Sequence, residues 1–298
     1  MNTTMNPADL ALFEAERPRL QAAAFRMLGS AAEAQDAVQE AWLRYDRTDR
    51  SALLNPAACL LTVVGRICLD LLRARTAKPE SPAAPDVLAA IGPAQDAGAD
   101  PAAEAELVES VGRAMLVVLS RLGAAERIAF VLHDAFAVPF NEIAPVLGRT
   151  PATTKKLASR ARTRVYGEQP DPEPVDRAWH RDVVEAFLAA ARGRDLAGLL
   201  DVLDPDVVRV ADPAAVPAGA RLAIRGAKAV AEETVLLWRN TRYAGPALVD
   251  GEIGLIVAPH GVLRAALRIS FGDGRITAYS VIADPARVSA LDLAVLGR

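Results

Sequence analysis

The sequence predicts a multidomain chain: two all-α helical domains, the second built on a helix-turn-helix, followed by an α+β domain. Three observations lead there. Apolar residues recur at helical spacing through residues 10–76 and again from about 105 to 166. Two acidic, proline-bearing strips interrupt the chain at 79–106 and 168–176. Beyond residue 203, short β-branched segments and glycine turns replace the helical pattern. A length of 298 residues suits two or three domains, at the usual 100–200 residues each.

The first domain, 10–78, is predicted to hold two well-marked helices. Ala34, Ala37, Val38, Ala41, Trp42 and Tyr45 form one apolar stripe over 33–47, and Ser30 with Glu33 makes a capping box. The opposite face carries Asp36, Gln39, Glu40 and Arg44. After Asn55-Pro56 a longer helix turns Leu60, Leu61, Val64, Ile67, Cys68, Leu71 and Leu72 inward, and leaves Arg66, Arg73 and Arg75 to the outside. The segment 79–106 has five prolines, six acidic residues and no Lys or Arg, so it cannot bury a core and reads as a linker.

The second domain, 107–168, carries the most informative motif. Within Pro139–Gly167 six basic residues stand against one acid, a local excess of +5. Ile143, Ala144 and Leu147 pack a first helix, Gly148 supplies the turn, and Thr150 caps a second helix that opens on Pro151. Leu157 and Ala161 anchor that second helix from below. Thr153, Thr154, Lys155, Lys156, Ser159, Arg160, Arg162 and Arg164 are its expected outward positions. Thr153, Thr154 and Lys156 suit base edges in a major groove; Arg160, Arg162 and Arg164 suit phosphates. A net charge of −3 for the whole chain does not oppose this, because DNA responds to local charge.

A second linker, 169–177, leads to an α+β domain at 178–284 and a tail at 285–298. Helices are expected from Trp179, at 195–203 and at 227–239, with strands at 207–210, 222–224, 247–249, 253–257, 262–271 and 275–282. Gly-Asp-Gly at 272–274 turns the last hairpin, and the helices should cover one side of a curved antiparallel sheet. In the tail, Asp284 caps a helix opened by Pro285, whose apolar face is Val288, Leu291, Leu293 and Leu296.

Composition excludes other classes. No apolar run of about 18 residues and no apolar signal core occur, so a cytoplasmic protein without a membrane partner is expected. Cys59 and Cys68 lie in one helix and read as reduced core residues. Without ligand spacing among His and Cys, neither a metal nor a cofactor is expected.

Three segments together resemble the extracytoplasmic-function (ECF) sigma factors of RNA polymerase: Asp36-Ala-Val-Gln-Glu40-Ala-Trp-Leu-Arg44, the Asn55-Pro56 to Arg75 helix, and Glu126-Arg127 to Arg164. The resemblance spans 10–168 in order, making these sigma regions 2 and 4. The last domain resembles the SnoaL-like domain, of the NTF2-like cone fold, in the sigma factor J-like subgroup. It implies binding to core RNA polymerase, at the β′ clamp helices and the β flap, and to promoter DNA. Asp36, Gln39 and Glu40 would meet the clamp helices; Thr62, Arg66, Asp70, Arg73 and Arg75 would recognise and open the proximal promoter element. The helix-turn-helix would read the distal element, and the acidic linker would lie along the RNA exit path.

Two departures from the subgroup stand out. Asp212 is followed by Pro-Ala-Ala-Val where relatives carry Asp-Gly-Gly-Gly-Lys, and Asp284-Pro285-Ala286-Arg287 stands for Asn-Pro-Asp-Lys. Asp284, Pro285 and Arg287 are the regulatory tail positions that this correspondence marks. The expected function is a sigma factor regulated in cis by its last domain, either through a small-molecule ligand in the cone cavity or through intramolecular contacts alone. Two alternatives stay open: a ligand-responsive helix-turn-helix regulator acting without polymerase, and a SnoaL-like enzyme fused to a DNA-binding segment. Asp212, His260 and Tyr279 are the residues an enzyme would draw on, but they offer no clear catalytic pair, and no catalytic residue is assigned.

Overall fold

A computed structural model of the protein describes residues 7–46, 55–77, 112–167, 175–237 and 241–296. The acidic linker 79–106, and the second linker up to residue 174, lie outside the described residues. The chain divides into two units: residues up to 77 together with 119–163, and residues from 164 onward together with 112–118.

The first unit is helical. Helices α1 (Pro7–Leu28), α2 (Ala31–Asp46) and α3 (Pro56–Ala77) pack around Phe13, Leu20, Val38, Tyr45, Leu60 and Val64, all nearly sealed from solvent. The α2 stripe is buried as expected except Trp42, which is half-buried and lies against Phe13 and Tyr45. The Ser30 hydroxyl accepts from the Glu33 N–H at 3.4 Å, but the Glu33 carboxylate pairs with Arg75 instead of closing the capping box. On α3, Leu69 is buried and Leu71 is 37% exposed, the reverse of the expected inward position for Leu71. Leu71 falls at the rim of the α3 stripe, where a one-residue difference in helical angle changes sides.

Helix α4 (Arg113–Ser120) leads to α5 (Ala124–Phe130), which runs into a π-helical turn, Val131–Ala135. The helix-turn-helix follows as α6 (Phe140–Leu147) and α7 (Pro151–Tyr166). Several contacts hold it against the first three helices. A Cβ on Gly65 of α3 would meet the Leu132 side chain at 2.9 Å, so glycine allows the two backbones to approach. Arg127, 6% exposed, donates to the carbonyls of Met27, at the end of α1, and Leu119.

The second unit is α+β. Helices α8 (Val175–Gly193), α9 (Leu196–Val202) and α10 (Ala227–Leu236) pack on strands β1 (Leu203–Ala211), β2 (Ala223–Arg225), β3 (Ala244–Val249), β4 (Glu252–Val257), β5 (Ala265–Gly272) and β6 (Arg275–Ile282). The order is β2-β1-β6-β5-β4-β3-β7, where β7 is Leu293–Ala294. The sheet is mixed, not wholly antiparallel as expected, because β1 and β6 pair in parallel. Their separation in sequence leaves room for the crossover that parallel pairing needs. Val184, Phe187, Leu199, Leu203, Val230 and Ile276 belong to the core between helices and sheet. Asp273 (φ 46°) and Gly274 (φ 83°) turn the β5–β6 hairpin, both at positive φ as a two-residue type I′ turn requires.

The tail is built differently from the single helix expected of it. Asp284 does cap α11 (Pro285–Ala290), accepting from the Arg287 N–H at 3.0 Å. The helix stops at Ala290, and Leu293 and Ala294 add to the sheet edge against Val249 and Leu248. Reciprocal bonds between Asp250 and Asp292 fix that register, so Leu293 enters the sheet instead of extending a helical face.

Candidate nucleic-acid interface

The turn between α6 and α7 is fixed by its own backbone. Gly148 takes the left-handed conformation (φ 63°), donating to Pro145 O at 3.3 Å, while Arg149 N–H reaches Ala144 O at 3.0 Å. These two bonds form the Schellman pattern that closes a helix. Pro145 lies inside α6 and has no N–H to donate to the Asn141 carbonyl, and Asn141 is exposed. Thr150 Oγ1 then accepts from the Thr153 N–H at 3.2 Å and starts α7.

Thr153, Lys155, Lys156, Ser159, Arg160, Arg162 and Arg164 are all exposed on α7. Thr154 is not. It is fully buried and donates to Thr150 O at 3.0 Å, so it cannot reach a base edge. The reason is periodicity: Thr154, Ala158, Ala161 and Val165 form the inward row, at intervals of three and four. Arg162 is turned toward Asp134, its Nε donating at 2.7 Å. Lys155, Lys156 and Arg160 make no ion pair among the described residues, so this edge of α7 presents uncompensated positive charge.

On α3, Arg66, Asp70 and Arg73 are exposed, whereas Thr62 is half-buried with its hydroxyl donating to Cys59 O at 2.8 Å. Arg66 donates to Pro145 O of α6 at 3.2 Å. Arg75 is exposed as well, but its guanidinium is already engaged. It donates to Leu28 O at 3.0 Å and pairs with Glu33, tying the end of α3 to α1 and α2, and burial lowers its pKa. Cys68 is buried and its thiol is pushed up to about 12 by burial; Cys59 is half-buried and shifted the same way.

On α2, Asp36 and Gln39 are exposed and Glu40 pairs with Arg44 at 2.8 Å. Leu43 joins them, 50% exposed, an apolar side chain that the sequence reading passed over. Its signal was present: 36, 39, 40 and 43 lie at i, i+3, i+4 and i+7, a second row opposite the buried stripe.

In the second unit, Asp212 accepts from the N–H groups of Ala283 and Asp284, both at 3.1 Å, and pairs with Arg287. Its carboxylate thus braces the start of α11. Tyr279 is pushed up to about 12, chiefly by burial, and keeps its proton. His260 sits in the short 3-10 turn Pro259–Gly261. Asp212 is thus held by Ala283, Asp284 and Arg287, and the Tyr279 hydroxyl lies 3.4 Å from that of Thr234. A cavity of about 130 Å³ opens between the helices and the sheet, lined by apolar side chains with Arg209, Glu233, Thr234, Tyr279 and Arg264 among them. Among the described residues no helix is long and apolar enough to cross a membrane.

Comparison with known proteins bears on these surfaces. Residues 12–78 match the family of sigma-70 region 2, and 112–165 match sigma-70, region 4. The chain is 38% identical over 292 residues to the ECF RNA polymerase sigma factor SigJ of Mycobacterium tuberculosis, covering 92% of this chain and 91% of that one. It is 33% identical over 285 residues to the probable ECF RNA polymerase sigma factor SigI of the same organism, covering 94% and 95%. A crystal structure of SigJ aligns with 94% of this chain and 98% of its own at 33% identity, with a TM-score of 0.44.

Proposed function

The chain belongs to the ECF RNA polymerase sigma factors, and from that premise we propose that its C-terminal cone, closed by the tail, regulates promoter reading in cis. As a sigma factor it acts with core RNA polymerase to recognise promoters and start transcription. The finer assignments are ours. Asp36, Gln39, Glu40 and Leu43 form the face for the β′ clamp helices, an acidic row with one apolar anchor. The helix-turn-helix domain meets the β flap and reads the distal promoter element through Thr153, Lys155, Lys156, Ser159 and Arg160, with Arg162 and Arg164 on phosphates. Arg66, Asp70 and Arg73 serve the proximal element, and Arg66 must first leave Pro145. The protein acts in the cytoplasm, where its polymerase is, and the cone cavity takes a small-molecule ligand.

One observation carries the regulatory reading. The Val295 N–H donates to Val165 O at 2.7 Å, so the segment after β7 satisfies a carbonyl in the last turn of the recognition helix α7. The last four carbonyls of a helix lack partners within it, and Val295 supplies one of them a donor from within the same unit. Reconstituted transcription with core polymerase tests this using the whole chain, the chain ending at 284, and Val295→Pro, which removes the donor. Altered promoter-dependent initiation in both variants supports control in cis. Wild-type activity in both rejects it.

A further inference from the structure

We infer that the cone cavity is a site for a ring-sized apolar monoanion, of which an aromatic carboxylate is the simplest member. This rests on the reading of the cavity as a ligand site and adds the class of ligand. Size comes first. At about 130 Å³ the cavity is close to the roughly 150 Å³ that holds one benzene ring in an engineered protein core. Phe187, Leu255, Val257, Leu267 and Val281 line it with apolar surface, which favours a compact hydrocarbon body over a sugar or a nucleotide.

Charge decides the rest. The charged lining residues are Arg209, Glu233 and Arg264, a net charge of +1. Arg209 is 2% exposed and already satisfied: it pairs with Glu233 through two nitrogens and donates from its third to the carbonyls of Arg221 and Leu222, at 3.2 Å each. Those bonds consume the Glu233 charge. Arg264 is half-buried, and its guanidinium makes no hydrogen bond or ion pair among the described residues. A half-buried guanidinium beside apolar surface is the pairing that a carboxylate with a hydrophobic body completes, through bonds stronger than neutral ones. Within the cavity Thr234 donates its proton to Val230 O at 2.8 Å, which makes Tyr279 the donor across the 3.4 Å gap between their hydroxyls. The Tyr279 oxygen therefore offers lone pairs but holds no spare proton for an anion, which leaves Arg264 as the anchor.

The test measures binding by titration calorimetry with the full chain and three probes of one shape: benzoate, neutral benzamide and benzylammonium. Arg264→Gln removes the charge, and Arg264→Lys retains it. Benzoate should bind at least about tenfold more tightly than benzamide, and benzylammonium should not bind. In Arg264→Gln benzoate should fall to the level of benzamide, while Arg264→Lys should keep most of the preference. Equal binding of benzoate and benzamide by the wild type would overturn the anion assignment while leaving the cavity a ligand site. No binding of any probe at millimolar concentration to the folded wild type would overturn the site itself.

Discussion

Arg127 in the helical unit and Arg209 in the cone are both buried, 6% and 2% exposed, yet they are stabilised in different ways. Arg209 has a carboxylate, Glu233, and two carbonyls. Arg127 has carbonyls, of Met27 and Leu119, and burial lowers its pKa to about 10. The cone therefore neutralises its buried charge within a wall that can stay closed. In the helical unit the buried charge rests on carbonyls near two helix ends, where the dipole is negative. The cone thus meets its buried charge with a carboxylate of its own, and the helical unit meets its buried charge with backbone carbonyls.

The comparison breaks most visibly at the buried pair. Glu233→Gln leaves Arg209 charged and uncompensated, and should cost the cone about 3 kcal/mol in urea unfolding. Arg127→Ala removes two charge-assisted bonds and should cost about 2 kcal/mol, read from the helical unit's own unfolding transition. Substituting Lys155, Lys156 and Arg160 together by Ala should leave both transitions within about 0.5 kcal/mol. It should weaken promoter binding by about tenfold or more and reduce its salt dependence, as expected when phosphate contacts are lost. Leu43→Asp should lower the affinity for core polymerase by about fivefold with no loss of helicity, seen in a competition assay.

The smallest effect is on pH dependence. The Cys68 thiol has its pKa raised from the ordinary 9.0 to about 12 by burial, so the folded chain holds that proton longer than the unfolded one. Its contribution to stability is full below pH 9 and declines as pH rises from 9 toward 12. Cys68→Val should flatten the helical unit's loss of stability across that window.

Much of this was legible in the sequence because it is periodic. The α2 stripe, the cap at Thr150, the turn at Gly148 and all six principal strands follow from spacing and turn chemistry within a few residues. The rest depends on partners far along the chain. Thr154 reads as a polar surface residue until Ala158, Ala161 and Val165 show which row faces inward. Arg75 reads as a free cation because Leu28 and Glu33, which hold it, lie more than 40 residues away. Asp212 offers itself as a base, and only the fold brings Ala283, Asp284 and Arg287 to occupy it. The Asp284 cap and Pro285 mark the start of the tail helix, but its end depends on Asp250, which with Asp292 makes it a strand. Asp250-Gly251, at φ 52° and 85°, was a readable hairpin signal between β3 and β4 that the strand reading did not use.

Control of the helical unit by the cone can be measured by reconstituted transcription with core polymerase, comparing the whole chain with residues 1–168. Both should start transcription from the same promoter at rates that differ by about threefold or more, since only the whole chain carries the cone and the Val295 contact to α7. Equal rates would contradict control by the cone. Initiation by neither would contradict the promoter-reading role assigned to the helical unit.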